Sequence, residues 1–127
     1  YDFVSENGEY TGGNIAPGLK MRFTILHRMT KKLPLVEVDE NELIPLFGRN
    51  TRDAMVAGVI RGVAYEVKGY MRTLREKTTH FKTYLTGGNA PYILNATRTS
   101  RTEKREIIHE KHLVLIGLNT ILVYNKK

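Results

Sequence analysis

Two glycine pairs carry the strongest chemical signal in this chain: Gly12-Gly13 within YTGGNIAPG and Gly87-Gly88 within LTGGNA. Each pair follows an apolar run and precedes a helix start, and two successive residues without Cβ let the backbone approach a ligand closely. The unpaired N–H groups and positive dipole end of the following helix suit a phosphate or a carboxylate. A tight structural turn accounts for either pair alone, whereas the repetition in one small chain points to a phosphate- or nucleotide-handling surface. Asn89 adds donor and acceptor capacity beside the second pair.

A second cluster, Phe47-Gly48-Arg49-Asn50-Thr51, gathers a guanidinium, an amide and a hydroxyl at a helix entrance, where they suit a polar acid. Without a ligand, Thr51 serves as a helix cap and Arg49 as a surface charge. His27, His80, His109 and His112 show no metal-ligand spacing beyond the weak His109-Glu110-Lys111-His112 cluster, and solvated histidines account for them. Ser5 and Ser100 stand in no nucleophile elbow, and a Walker A pattern is absent. With no cysteine in the chain, disulfides, thiolate metal sites and cysteine nucleophiles are excluded.

The elements that position these residues follow from pattern. Asn7-Gly8 between Tyr1–Val4 and Tyr10–Ile15 predicts an opening hairpin, both turn positions tolerating positive φ. Pro17 fits the first position of a helix running to about Lys32, with Leu19, Phe23, Leu26 and Met29 on one face. Leu33-Pro34 stops that helix, and Leu35–Val38 is a short strand or an extended connection before the acidic run Asp39, Glu40, Glu42. Thr51 is the expected N-cap of a long helix, in which Met55, Val59, Val63, Val67, Met71 and Leu74 form the buried side and Arg61, Lys68, Arg72 and Arg75 another face. Gly58 and Gly62, one turn apart, imply close packing against that helix or ligand approach. Phe81–Thr86 reads as a strand, Asn89–Asn95 as a short helix and 96–105 as an exposed basic loop. HLVLIGLNTILVY fits a hairpin around Asn119-Thr120 or a buried helix, and the pattern leans to strands.

At 127 residues, 41% of them hydrophobic and 26% charged, the chain has the size and composition of a single folded domain. No segment approaches the roughly 20 apolar residues of a membrane span, and no basic signal-peptide start is seen, so no membrane partner and a cytoplasmic location are expected. The excess of 20 Lys and Arg over 13 Asp and Glu, a net +7, favours anionic partners. A nucleic-acid-binding or transcription accessory protein using Arg98, Arg101, Lys104 and Arg105 is therefore the alternative function. A further alternative is a dimerisation domain that pairs through the glycine stripe of the long helix.

In order and spacing, YTGGNIAPGLKM, MTKKLPLVE, LFGRNTRDAMVAGVIRG, YLTGGNAP and HLVLIGLNTILVYN together resemble the C-terminal half of type III pantothenate kinases, over nearly the whole chain. The resemblance implies an α/β, ribonuclease H-like (actin-like ATPase) domain, a mixed sheet with helices packed on it, with residues 1–127 forming the C-terminal half of a two-domain kinase. It implies the ATP-dependent conversion of pantothenate to 4′-phosphopantothenate, the first step of coenzyme A synthesis. ATP with a divalent metal, a monovalent cation (potassium or ammonium) and a homodimer that completes the pantothenate pocket come with it. Thr51, with Asn50 beside it, resembles the pantothenate-binding position. Gly87, Gly88 and Asn89 resemble the turn beside the adenosine of ATP, and Gly12 and Gly13 the lining of the shared cleft.

The resemblance also makes the last segment a helix. It places the first phosphate motif, the aspartate base and the cation-binding aspartate before Tyr1, so no catalytic residue and no metal ligand is assigned within this chain, which alone is expected to be inactive. Asn89 stands where the family often carries aspartate, keeping the acceptor without the charge. Members of the family have also been labelled transcriptional accessory factors.

Overall fold

A computed structural model of the chain describes residues 1–78, 80–97 and 107–126, in two units, Tyr1–Leu35 and Val36–Lys127. The basic residues Arg98, Arg101, Lys104 and Arg105 lie outside the described residues.

The first unit opens with β1 (Asp2–Val4) paired antiparallel to β2 (Tyr10–Gly13). The Gly8 N–H donates to the Ser5 carbonyl at 3.0 Å and the Ser5 N–H to the Glu9 carbonyl at 2.8 Å, closing a three-residue loop. Of the two turn residues, only Gly8 adopts positive φ, at 81°. A three-residue loop needs left-handed backbone at its last position alone, so Asn7 is spared the conformation that the sequence assigned to both. Helix α1 (Leu19–Arg28) starts after Gly18 rather than at Pro17 and ends four residues before Lys32. Its end is fixed by side chains that turn the chain back: the His27 Nδ1–H donates to the Leu33 carbonyl at 2.7 Å, and the Thr30 hydroxyl to the Leu26 carbonyl at 2.6 Å. Leu19 and Phe23 are buried, Leu26 is half-buried and Met29 is exposed beyond the helix end.

In the second unit, residues 36–50 form no strand and no helix. Side chains take up the backbone carbonyls that a strand would have paired: Arg52 reaches Glu37, Tyr92 reaches Val38 and Asn95 reaches Glu40, while Arg61 donates to Ile44 and Pro45. Helix α2 (Thr51–Val56) then runs through a π-helical turn (Ala57–Arg61) into α3 (Gly62–Lys77). The wider π turn changes the angular phase of the helix. Met55, Val59, Val63, Val67 and Met71 are buried as the periodicity predicts, and Val56, Ala57, Ile60 and Ala64 join them, whereas Leu74 is half-buried.

Strand β3 (Thr83–Leu85), helix α4 (Ala90–Thr97) and strand β4 (Ile107–His109) form a strand–helix–strand unit with the two strands parallel. Parallel pairing requires a crossover between the strands, and α4 lies on that crossover. Ala96 and Thr97, assigned by sequence to the loop, are buried helix residues; the Thr97 hydroxyl donates to the Leu94 carbonyl at 2.9 Å. Val56, Ile60, Ala64, Ala90, Ile93 and Ile107 are all buried, and α4 packs against α3 and the π turn.

The final element is helix α5 (Leu113–Asn125), as the family resemblance implies and against the hairpin favoured by pattern. The fold is mixed α/β, but among the described residues the strands lie in two two-stranded sheets, one antiparallel and one parallel, in place of a single mixed sheet.

Candidate functional site

Leu85 pairs with His109, and the Glu110 N–H then donates to the Leu85 carbonyl at 3.0 Å. The chain segments after β3 and after β4 therefore leave from the same, carboxyl end of the parallel pair, the end at which α/β sheets bind ligands. Thr86, Gly87, Gly88 and Asn89 occupy that end, one turn before α4. Gly87 has φ of 89°, a left-handed conformation that costs a side-chain-bearing residue about 1–2 kcal/mol. Its carbonyl accepts from the Ala90 N–H at 3.1 Å, and the Asn89 carbonyl accepts from the Ile93 N–H at 3.4 Å, so the turn passes directly into the helix. Gly88 is exposed, and a Cβ added there meets nothing within 4 Å. Among the described residues nothing requires glycine at 88 for space, and the turn is open to a flat or anionic ligand.

Gly12 and Gly13 are arranged differently. They end strand β2 and are separated from α1 by Asn14–Gly18, so this pair is not the strand–turn–helix cradle read from sequence. Gly13 is set by sterics: a Cβ there would collide with the Tyr1 carbonyl oxygen. That carbonyl accepts from the Asn14 N–H at 2.8 Å, while the Tyr1 nitrogen donates to the Asn14 carbonyl at 3.0 Å. Gly12 has φ of 128°.

At the entrance of α2 the cap is Asn50, not Thr51. The Asn50 side-chain oxygen accepts from the Asp53 N–H at 2.9 Å, and its amide donates to the Asp53 carboxylate at 2.8 Å, a reciprocal closure of the first turn. Asparagine at this position already supplies the acceptor, which moves Thr51 one place into the helix. There Thr51 is exposed. Gly48 belongs to the same entrance, because a Cβ at this position would strike the backbone of Asp53 and Ala54. Arg49 is exposed beside it.

Arg52, which the sequence did not single out, forms a bidentate pair with Glu42 at 2.6 and 2.8 Å and also lies 3.8 Å from Asp53. The Arg52 hydrogen bonds hold the Glu42 carboxyl below the ordinary carboxylate range, against a smaller opposing effect of burial. The same pair raises the Arg52 guanidinium. Arg52 and Arg61 carry no motif signal, since several of their acceptors are backbone carbonyls in a segment without periodicity. Through Arg52, Tyr92 and Asn95, the α2 entrance and α4 hold one segment, 37–42. Among the described residues no hydrogen bond joins Asn50 or Thr51 directly to Gly87–Asn89, and Gly12 and Gly13 belong to the other unit.

A cavity of about 360 Å³ is bounded by Tyr65, Lys68, Arg72, Arg75, Thr97 and Ile107. Thr97 ends α4 and Ile107 begins β4, so it lies at the amino end of the strands, opposite the diglycine turn. Arg61 leaves the predicted basic face for Ile44 and Pro45, and the Arg75 guanidinium sits 5.9 Å over the Phe81 ring. Among the described residues nothing packs closely on Gly58 or Gly62, since a Cβ at either meets nothing within 4 Å. Among the described residues no group of three His, Cys, Asp or Glu side chains forms a metal site, and no helix is long and apolar enough to cross a membrane.

A family model for type III pantothenate kinase matches residues 1–73. The chain belongs to the type III pantothenate kinase family. Proteins named as type III pantothenate kinase match it almost end to end: one from Phocaeicola vulgatus is 41% identical over 100% of this chain and 49% of its own length. Others from Flavobacterium psychrophilum and Azobacteroides pseudotrichonymphae are 35% and 42% identical over 99% of this chain and 49% and 48% of their own lengths. The chain thus spans about half the length of the curated relatives it matches. The kinase names of these relatives lend no support to the nucleic-acid alternative.

Proposed function

We propose that this chain is the C-terminal half of an ATP-dependent pantothenate kinase with a ribonuclease H-like, actin-like ATPase fold, converting pantothenate to 4′-phosphopantothenate in the cytoplasm. Family membership supplies the reaction. The observation in the structure that supports it is the strand–Gly87-Gly88-Asn89–helix unit, which opens at the carboxyl end of a parallel strand pair with Gly88 unobstructed. In this reading the adenosine of ATP lies against Gly87, Gly88 and Asn89, and pantothenate reaches Thr51, with Asn50 holding the helix entrance in shape. The family resemblance adds Gly12 and Gly13 as cleft-lining residues.

Phosphoryl transfer needs aligned phosphates, neutralised charge and a positioned hydroxyl. Of these, the residues here contribute the nucleoside platform and part of the acceptor's site. The divalent metal bound to the ATP phosphates and a monovalent cation, potassium or ammonium, would lower the developing negative charge. The family resemblance assigns the phosphate motif, the base and the cation-binding aspartate to the other half. A homodimer completing the pantothenate pocket belongs to the same reading.

The test is direct: ATP-dependent formation of 4′-phosphopantothenate by the full-length gene product and by the 127-residue chain. Turnover is expected from the first and not from the second. A full-length protein without this activity would overturn the assignment, and turnover by the chain alone would overturn the division of labour.

A further inference from the structure

The Phe47–Thr51 cluster is reached through backbone that has no hydrogen-bond ladder of its own. Residues 36–50 form neither strand nor helix, so their carbonyls depend on donors from elsewhere in the fold. Arg61 serves two of them. Its Nε–H donates at 2.5 Å to the carbonyl of Pro45, sixteen residues away in sequence, and its Nη2 donates to the adjacent carbonyl of Ile44. Arg61 is half-buried, and among the described residues it makes no ion pair. Its guanidinium therefore acts as a rigid fork for two consecutive carbonyls rather than as a counter-charge.

The backbone sets where that fork stands. Arg61 ends the π turn that interrupts the helix between Thr51 and Lys77. π turns are uncommon in helices and concentrate at functional sites. From the carbonyls that Arg61 holds, only Leu46–Asn50 lead to Thr51. Gly48 lies against the backbone of Asp53 and Ala54, and Asn50 caps the first turn of α2. The approach is thus fixed at 44–45, at 48 and at 50. Leu46, Phe47, Arg49 and Thr51 remain exposed between and beside these points. Exposed side chains on a backbone fixed at three points are what a preorganised binding surface requires.

We infer that Arg61 is a positioning residue for the pantothenate site: by holding the Ile44 and Pro45 carbonyls it fixes the backbone leading into Thr51, without touching substrate itself. The inference rests on the reading of Thr51 as a pantothenate-binding residue. Without the fork, the 44–47 stretch gains conformational freedom that substrate binding must then remove. Pantothenate affinity falls. The chemical step and the Gly87–Asn89 turn, to which Arg61 makes no hydrogen bond, are left as they were.

Steady-state kinetics of the full-length kinase test this. Arg61→Ala should raise the KM for pantothenate about tenfold while kcat and the KM for ATP stay within about twofold of wild type. Arg61→Lys, which keeps the charge but not the fork, should fall between the two, and it carries the same split if Arg61→Ala does not fold. Guanidinium ion, far below denaturing concentration, should restore the pantothenate KM of Arg61→Ala. Arg72→Ala removes the same charge from α3 and should change neither KM, which separates the fork from general attraction of an anion to a basic surface. Losses of kcat and of both KM values that follow a lowered melting temperature, without rescue by guanidinium, would mark a purely structural role and overturn the proposal. Thr51→Ala, measured in parallel, separates the two failures. A raised pantothenate KM in Thr51→Ala beside an unchanged one in Arg61→Ala refutes the positioning role alone, and unchanged values in both refute a pantothenate site at this helix entrance.

Discussion

Asn50 and Thr51 are neighbours with separable roles, since one closes the first turn of α2 and the other is exposed within it. Asn50→Ala should lower stability by about 1 kcal/mol in urea unfolding, with Asn50→Asp recovering most of the loss. Thr51→Ala should change stability by less than about 0.5 kcal/mol, yet weaken pantothenate binding in the full-length kinase. The same logic separates the two glycines of the turn before α4. Gly87→Ala forces a side chain into left-handed backbone at a cost of about 1–2 kcal/mol. Gly88→Ala meets no neighbour, so the fold should tolerate it while the KM for ATP of the full-length enzyme rises. An unchanged KM would remove Gly88 from the nucleotide site. This turn was legible because glycine doublets, an apolar run and a helix start are local signals. Gly12-Gly13 misled for the same reason: the doublet is visible in sequence, but the Tyr1 carbonyl that makes Gly13 necessary is brought there only by hairpin pairing.

The helix spanning α2 and α3 was readable from its apolar spacing, but the π turn was not, because Val56, Ala57, Val59 and Ile60 are apolar on both sides of the phase change. Strand β4 escaped notice as three residues after a polar run, defined only by register with β3. α5 could not be told from strands by periodicity, since nearly every position is apolar. Gly62 lies in α-helical backbone with open space where a Cβ would stand, so Gly62→Ala should stabilise this chain by about 0.5–1 kcal/mol in thermal unfolding. A loss of stability in the full-length protein alone would show that another surface approaches there. The clasp from Arg52 to Glu42 carries a pH signature. Because folding lowers the Glu42 pKa, its contribution is complete above the unfolded carboxylate value of about 4.3 and fades as pH falls through the lower folded value. The stability advantage of the wild type over Glu42→Gln should therefore be present at neutral pH and shrink below about pH 4 in urea titrations. It will be modest, since both side chains reach solvent.

For the molecule as a whole, the proposed division between a nucleoside platform here and phosphate contacts elsewhere makes a measurable distinction. A ligand that binds only the folded state stabilises it by RT ln(1 + [L]/Kd), about 2.7 kcal/mol at one hundred times Kd. If this chain holds only the adenosine, then adenosine and ATP should raise its melting temperature by similar amounts, whereas the full-length kinase should respond far more strongly to ATP. The net charge of +7 complicates the comparison, because a basic surface attracts a polyanion without a site. Such attraction between exposed charges is screened within about 3 Å at 1 M salt, against about 8 Å at physiological ionic strength. The measurement therefore belongs at both salt concentrations, with Gly88→Ala as the site control. Equal, salt-insensitive shifts from the two ligands that Gly88→Ala abolishes would support the division. A strong preference of the isolated chain for ATP that survives high salt would place phosphate contacts within these 127 residues and refute it.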